Sequence, residues 1–387
     1  MVEFEYWWLL VLPLFFTFGW VAARVDIRQL LSESSTLPAA YFKGLNFLIT
    51  DQYDKAIEAF IEAVQANAES LELHFALGSL FRRRGEVDRA IHLHLSLLER
   101  KELPYLQQQA VMAELAQDYL KAGLFDRAEE LFLSLDDSRY KQPALRALLE
   151  IYVQEREWER AIEKATELER LSGIPFRKEI AQYYCEMAVK SILINDTQTA
   201  RHQLESALNA NSHCVRANVL LGEIEASRGE FEIAISFWKR IEFQQTDYLC
   251  LVADKILNAH RALNKVDEGI LLLKRYLQTY KMQSLFNVVY AAILAEEGAE
   301  SAAKLAREEL NKHPSLQTLD QLLQARLMLP QADQQDINLM QITVRNAAGR
   351  SVFCCDQCGF HARHHHWQCP ACNAWESLPS EPKELVI

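Results

Sequence analysis

Hydrophobic and polar positions divide the chain into three stretches of different texture. Residues 6–23, YWWLLVLPLFFTFGWVAA, carry no charge; residues 40–330 mix apolar and charged positions in blocks that recur; the last tenth gathers five of the eight cysteines. The first stretch predicts a transmembrane helix, because eighteen residues at 1.5 Å each span about 27 Å, enough for a thin hydrocarbon core. Trp7, Trp8 and Trp20 lie near its ends, where indole rings favour the headgroup region. Pro13 is tolerable in a membrane span. A cleaved signal peptide is the rival reading, with Val21-Ala22-Ala23 as its cleavage site, but such peptides open on basic residues. Here Glu3 and Glu5 are the only charges before the apolar run. A buried core helix fits poorly, since the run is apolar all round. Arg24, Arg28 and Lys43 follow the span. Positive charge stays in the cytoplasm, so the expected topology is single-pass, with the N-terminus outside and the body cytoplasmic. Residues 1–23 are then the anchor and 24–38, ending SESSTLP, a juxtamembrane linker.

Residues 39–330 are self-similar. GLNFL…YDKAIEAF returns as GSLF…VDRAIHLH, with Gly44 and Gly78 34 residues apart and Ala56 and Ala90 also 34 apart. Later copies centre on Ala128, Ala161, Ala200, Ala234 and Gly269, at spacings of 38, 33, 39, 34 and 35, and a degraded copy surrounds Ala302 and Ala303. A period near 34 with small residues at two fixed places and aromatics between them resembles the tetratricopeptide repeat. The resemblance implies an all-α superhelix of antiparallel helix pairs, with seven clear copies and one or two weak ones. Gly44 and Gly78 are expected to face Ala56 and Ala90, with Phe47, Phe60, Phe81 and Tyr119 filling the remaining groove. Gly85, Gly123 and Gly229 fall where a left-handed residue ends the first helix. Asp54, Asp88, Asp126, Glu159 and Glu232 suit the positive end of the second helix. Repeat arrays of this kind bind partners on the face lined by first helices. Register puts Phe75, Arg82 and Arg83 there, with Lys121 nearby, and Arg84 completes a local basic patch for a carboxylate-bearing partner. A solvated charged helix end is the plainer reading of the same residues.

After the polar stretch 331–350, residues 351–378 contain CDQCGFHARHHHWQCPACNAW, followed by a tail, 379–387. Cys355-x2-Cys358 and Cys369-x2-Cys372 form two hooks ten residues apart, and four such thiolates close a tetrahedral metal shell. Gly359 and Pro370 suit the tight turns of the hooks, and the short gap calls for a small hairpin between them. One zinc or iron ion fits; zinc makes the site structural, iron opens it to redox chemistry. A closed four-sulfur shell leaves no open position for hydrolysis. Cys354 reads as a bystander, a one-residue slip in ligand choice being the alternative. His361, His364, His365 and His366 read as an exposed hairpin tip, the alternatives being a second metal site or a pH sensor. Trp367 and Trp375 flank the second hook and either pack its small core or dock it on the last helices.

A net charge of −12 argues against general nucleic-acid binding, which needs a cationic surface. An RNA-binding ribbon remains a third alternative. The uneven cysteines do not suit a secreted disulfide scaffold. No GxxxxGK[ST], GxGxxG after a strand, HExxH or GxSxG occurs, so the reading is of a scaffold and not an enzyme.

One span, a repeat array and a terminal rubredoxin-like knuckle together resemble the lipopolysaccharide assembly protein B family of Gram-negative bacteria. The likeness is sharpest in GSLFRRRGEVDRAI (78–91), AGLFDRAEELF (122–132) and CDQCGF…WQCPACNAW (355–375). It implies metal ligands at Cys355, Cys358, Cys369 and Cys372 and an anchor at 6–23. It also implies an inner (plasma) membrane adaptor, N-terminus periplasmic and body facing the cytoplasm, that is no enzyme itself and helps a membrane-bound AAA+ protease degrade the deacetylase of lipid A synthesis, alongside other inner-membrane regulators of lipopolysaccharide. An iron-binding electron-transfer protein on a repeat scaffold is the alternative function. Repeats five, seven and eight have drifted from the pattern, so groove residues carry over less securely than the metal ligands.

Overall fold

The computed structural model describes residues 39–100, 103–135, 137–329, 338, 340, 351–379 and 383–384. The expected anchor and both linkers fall outside these, apart from residues 338 and 340. Among the described residues, no helix is long and apolar enough to cross a membrane. The chain divides into two compact units, Met1–Glu155 and Arg156–Ile387.

The first unit contains α1 (Ala39–Ile49), α2 (Tyr53–Ala66), α3 (Leu71–Arg84), α4 (Val87–Leu98), α5 (Tyr105–Ala122), α6 (Phe125–Leu133) and α7 (Ser138–Glu155). The second contains α8 (Trp158–Ser172), α9 (Arg177–Leu193), α10 (Thr197–Ala210), α11 (Val215–Ser227) and α12 (Phe231–Lys239). After a short α13 (Ile241–Gln244) and a 3-10 turn (Thr246–Leu249) come α14 (Cys250–Ala262), α15 (Val266–Tyr280), α16 (Gln283–Glu296), α17 (Ala299–Lys312) and α18 (Leu316–Leu327). These are the helix pairs that the spacing predicts, closed by one extra helix. The acidic residues fall in the first turns of second helices as expected: Asp54 in α2, Asp88 in α4, Asp126 in α6, Glu159 in α8 and Glu232 in α12.

The turn within each pair has one conformation. Asp51, Gly85, Gly123, Arg156, Asn195, Gly229 and Asn264 all have positive φ, and each lies five residues before a marker from Ala56 to Gly269. Glycine holds this conformation without the Cβ penalty that aspartate and arginine carry there. The last pair departs from the rule: Glu297 has φ −103 and Gly298, the N-cap of α17, has φ +92. Five residues beyond Glu297 lies Ala302, so Ala302 and not Ala303 is the eighth marker.

One expectation about the packing is wrong in detail. Gly44 and Gly78 do not face Ala56 and Ala90; they make room for rings one turn further on. A Cβ on Gly44 would sit 2.6 Å from the Phe60 ring, one on Gly78 would overlap the imidazole of His94, and one on Gly222 would overlap the indole of Trp238. The marker position serves the reverse contact, since a Cβ on Gly269 would lie 3.0 Å from His260. Each glycine thus pairs with a bulky residue across the helix pair, and a stripe of small residues alone would leave a void. In the last pair the same register sets Tyr290 opposite Ala306 within one apolar cluster, where the large partner has moved to the first helix.

The second unit's largest apolar cluster runs from Val215 and Trp238 through Ile256, Tyr276 and Phe286 to Leu322 and Ala325. The knuckle follows, with β1 (Ser351–Cys354), β2 (His361–Ala362) and β3 (Lys383–Glu384) in the antiparallel order β2-β1-β3.

Candidate metal centre and its seat on the repeats

Each cysteine hook sits at the tip of its own hairpin. β1 pairs with β2 in the register Phe353 to Ala362 and Cys354 to His361, so Cys355–Phe360 forms the first tip. The bridge between Gln368 and Trp375 frames the second. The small hairpin expected between the hooks is therefore replaced by one around each. In the first, the Cys355 amide donates to the Phe360 carbonyl at 2.8 Å and the Gly359 amide to the Cys355 carbonyl at 2.9 Å. In the second, the Cys369 amide donates to the Ala374 carbonyl and the Asn373 amide to the Cys369 carbonyl, both at 2.9 Å. Gly359 (φ +73) and Asn373 (φ +59) follow the second cysteine of each hook, in the region that Gly and Asn tolerate best.

These two turns bring the Sγ atoms of Cys355, Cys358, Cys369 and Cys372 within 4.8 Å of one another. Cys355 and Cys372 are 3.8 Å apart, Cys358 and Cys369 3.7 Å. Ser377 Oγ lies 3.3 Å from Cys355 Sγ, and this hydrogen bond draws the Cys355 thiol down to about 6. At Cys358 the Phe360 amide favours the thiolate, but burial and the three neighbouring sulfurs oppose it, pushing that thiol up to about 12. Four sulfurs this close resist ionising together unless a cation shares their charge. The donor set and spacing fit one zinc or iron ion, held by all four sulfurs with no protein-free position. Cys355 and Cys369 are buried, while Cys358 and Cys372 are exposed. Cys354 stands outside the cluster on β1, so the bystander reading holds and no ligand slip occurs.

The knuckle's own apolar core is small: Cys355, Ala362, Cys369 and Leu378, with Phe353 and Phe360 beside them. Its two tryptophans turn outward onto the repeats. Trp375 meets Trp158 edge-on at 6.4 Å and Tyr183 at 6.1 Å, and these two stack on each other at 5.6 Å. Trp367 stacks on Tyr248 at 5.3 Å beneath the guanidinium of Arg216. Glu376 accepts from Gln182 Nε2 at 2.6 Å and pairs with Lys178 Nζ at 3.2 Å. Arg216 in turn bonds Gln182 Oε1 and Glu186. Of the alternatives for the two tryptophans, docking on helices is the one realised, although the seat is α8, α9, α11 and the 3-10 turn, not the last helices. The histidine cluster splits: His361, His364 and His366 are exposed, whereas the His365 ring packs against Trp367, Tyr248 and Phe353. Burial pushes His365 down to about 4, which keeps it neutral and corrects its assignment to an exposed tip.

Residues 353–379 match the rubredoxin metal binding domain, and residues 43–102 and 194–245 match the tetratricopeptide repeat. Over its length the chain is 31% identical to lipopolysaccharide assembly protein B of Escherichia coli strain K12, covering 95% of this chain and 96% of that protein. It belongs to the lipopolysaccharide assembly protein B family. The Haemophilus influenzae member is 29% identical, again over 95% of this chain and 96% of its own. Among solved structures, a tetratricopeptide repeat protein from Parabacteroides merdae is 16% identical, covering 79% of this chain and 97% of that one, with a TM-score of 0.26.

In this lipopolysaccharide assembly protein B relative, the residues expected to hold a partner have separate fates. Phe75 is partly buried against Leu71, Leu97 and Val111, with its ring 6.0 Å from that of His94. Arg82 is drawn inward, to Glu114 at 2.5 Å and Asp118 at 2.6 Å. Asp118, fully buried, also meets His94 Nδ1 at 2.5 Å. This charged network ties α3, α4 and α5 together. Arg84 pairs with Asp54 and Glu86. The basic patch is thus partly neutralised, with Arg83, Arg84 and Lys121 as its exposed members. The seat of the knuckle went unforeseen. Trp158 occupies the first position of α8, where Phe125 and Phe231 open α6 and α12, and so reads as ordinary packing.

Proposed function

We propose that this protein is an inner-membrane adaptor that regulates lipopolysaccharide biosynthesis from the cytoplasmic side. In this reading residues 6–23 anchor it, and the repeats hold the lipid A deacetylase while a membrane-bound AAA+ protease degrades it. The observation that carries the reading is the match along nearly the whole chain to curated lipopolysaccharide assembly proteins B. The repeat fold agrees, because helix-pair arrays present binding surfaces and have no chemistry of their own. The four-sulfur site agrees too, since a closed shell offers a metal to folding and not to a substrate. Arg83 and Lys121 are the proposed cationic contacts in the first unit. Crosslinking in membranes, followed by identification of the captured proteins, tests the partners; capture of neither the protease nor the deacetylase would sink this version. A chain lacking residues 1–23 should fold and lose function, and full function without them would remove the membrane from the proposal.

The exposure of Cys358 and Cys372 favours a second reading, electron transfer through an iron-loaded knuckle. Elemental analysis with an absorption spectrum separates the two. Zinc without visible absorption ends the redox reading.

A further inference from the structure

The knuckle's seat has the composition of a ligand-binding site. Trp158, Tyr183 and Tyr248 supply aromatic faces, Arg216 and Lys178 positive charge, and the buried Gln182 a fixed amide. What fills it is a short segment, an aromatic ring followed by a carboxylate: Trp375 packs edge-on against both rings of the stacked Trp158–Tyr183 pair, and Glu376 reaches Lys178 and Gln182. Glu376 adopts φ +49 to do so, a left-handed conformation that glutamate takes only at a cost. The segment is presented by a fold whose apolar core is too small to stand without its metal.

We infer that this seat is a metal-gated receptor for an aromatic–acidic peptide, held shut by Trp375 and Glu376 while the knuckle carries its ion. Metal loss unfolds the hairpins that aim Trp375, the segment leaves, and the seat becomes free for a partner segment with an aromatic residue followed by a carboxylate. The gating is one of populations. With the ion bound, the free seat is a small fraction of the protein, and a competing peptide sees its affinity lowered by that fraction. The interaction is independent of the proposed protease and deacetylase, so either idea can fail alone.

The test uses the full-length chain and a fluorescein-labelled peptide of residues 373–378, NAWESL, followed by anisotropy. Stripping the metal with a chelator under reducing conditions should tighten peptide binding by roughly tenfold or more, and zinc should reverse it. Amide exchange in α9 and α11 should rise on stripping while far-ultraviolet circular dichroism keeps its helical intensity. Trp375→Ala combined with Glu376→Ala, with metal bound, should admit the peptide without stripping, because the ion then remains but both parts of the plug are gone. Lys178→Glu, an exposed change, should abolish binding in the stripped chain. Equal binding with and without metal, or none in either state, would overturn the proposal. So would loss of the repeat helices on stripping, since the seat would not then exist without its plug.

Discussion

In the repeats, each helix pair buries part of its apolar surface internally and the rest against its neighbours, so stability is spread over dozens of side chains. In the knuckle, a handful of apolar residues and three strands of two to four residues converge on four sulfurs. The first kind of structure loses a little with each substitution. The second stands or falls with a single ion. The difference teaches where a folded protein of this composition can be switched. A reversible ligand acting at one point controls the knuckle, while no single event of comparable size is available in the array.

The largest expected effect breaks the knuckle alone. Removing the metal, or replacing Cys369 by Ser, should cost the knuckle its fold, with metal binding worth on the order of 10 kcal/mol in such sites. Tryptophan emission should shift as Trp367 and Trp375 reach water, while the helical signal persists. Joint collapse of both regions would refute the contrast. Next comes a place where the array concentrates its risk. Asp118→Ala should destabilise the first unit by about 3–5 kcal/mol, measured by urea denaturation, because buried His94 would lose its acceptor and Arg82 one of its two carboxylates. A loss below 1 kcal/mol, roughly the worth of a surface pair, would show the network to be solvated.

Smaller effects sharpen the packing rule. Gly222→Ala should cost about 1–3 kcal/mol, since the added methyl would overlap the Trp238 indole. Gly85→Ala meets no neighbour within 4 Å and should cost only about 1 kcal/mol, through its φ of +84 alone. Equal costs would mean that backbone conformation, and not helix–helix contact, governs both sites. Arg83→Glu and Lys121→Glu should leave the unfolding midpoint within about 0.5 kcal/mol of the parent. Both should weaken partner capture in the membrane crosslinking experiment.

The smallest effect is an acid response of the array. Burial holds the His74 pKa below its ordinary 6.5, so the unfolded chain takes up the proton first. Stability from keeping His74 neutral is therefore present above about pH 6.5 and declines as the pH falls below it. Comparing urea midpoints for the parent and His74→Gln at neutral and mildly acidic pH should show a shallower decline in the variant. Parallel curves would assign the acid response to other groups.

Much of this architecture was legible in the residues. The recurrence of Ala56, Ala90, Ala128 and their successors located the helix pairs, because the small markers answer to local helix-to-helix distance. The cysteine ligands were legible for a similar reason: hook geometry is set within four residues. What the pattern concealed depends on contacts far apart in sequence. Arg82 looks like a surface cation until Asp118, 36 residues later, is seen to take it. His365 sits in a run of histidines that suggests a solvated tip, yet Tyr248 and Trp367 enclose it. Trp375 and Glu376 follow the last ligand closely, while their partners Trp158, Lys178 and Tyr183 lie about 200 residues earlier.

The constant offset around the repeat turns has one further consequence. From Gly44 to Phe60, Gly78 to His94, Ala116 to Phe132 and Gly222 to Trp238 the block is always seventeen residues long, although whole repeats range from 33 to 39. All the variation in length is taken up outside the block, where one pair hands over to the next. An insertion within the block would slide a ring off its glycine; an insertion between α4 and α5, where the spacing already stretches to 38, would leave every such pair aligned. The repeats can therefore be cut and joined like cassettes at the handovers, and a reporter domain or an affinity label belongs there.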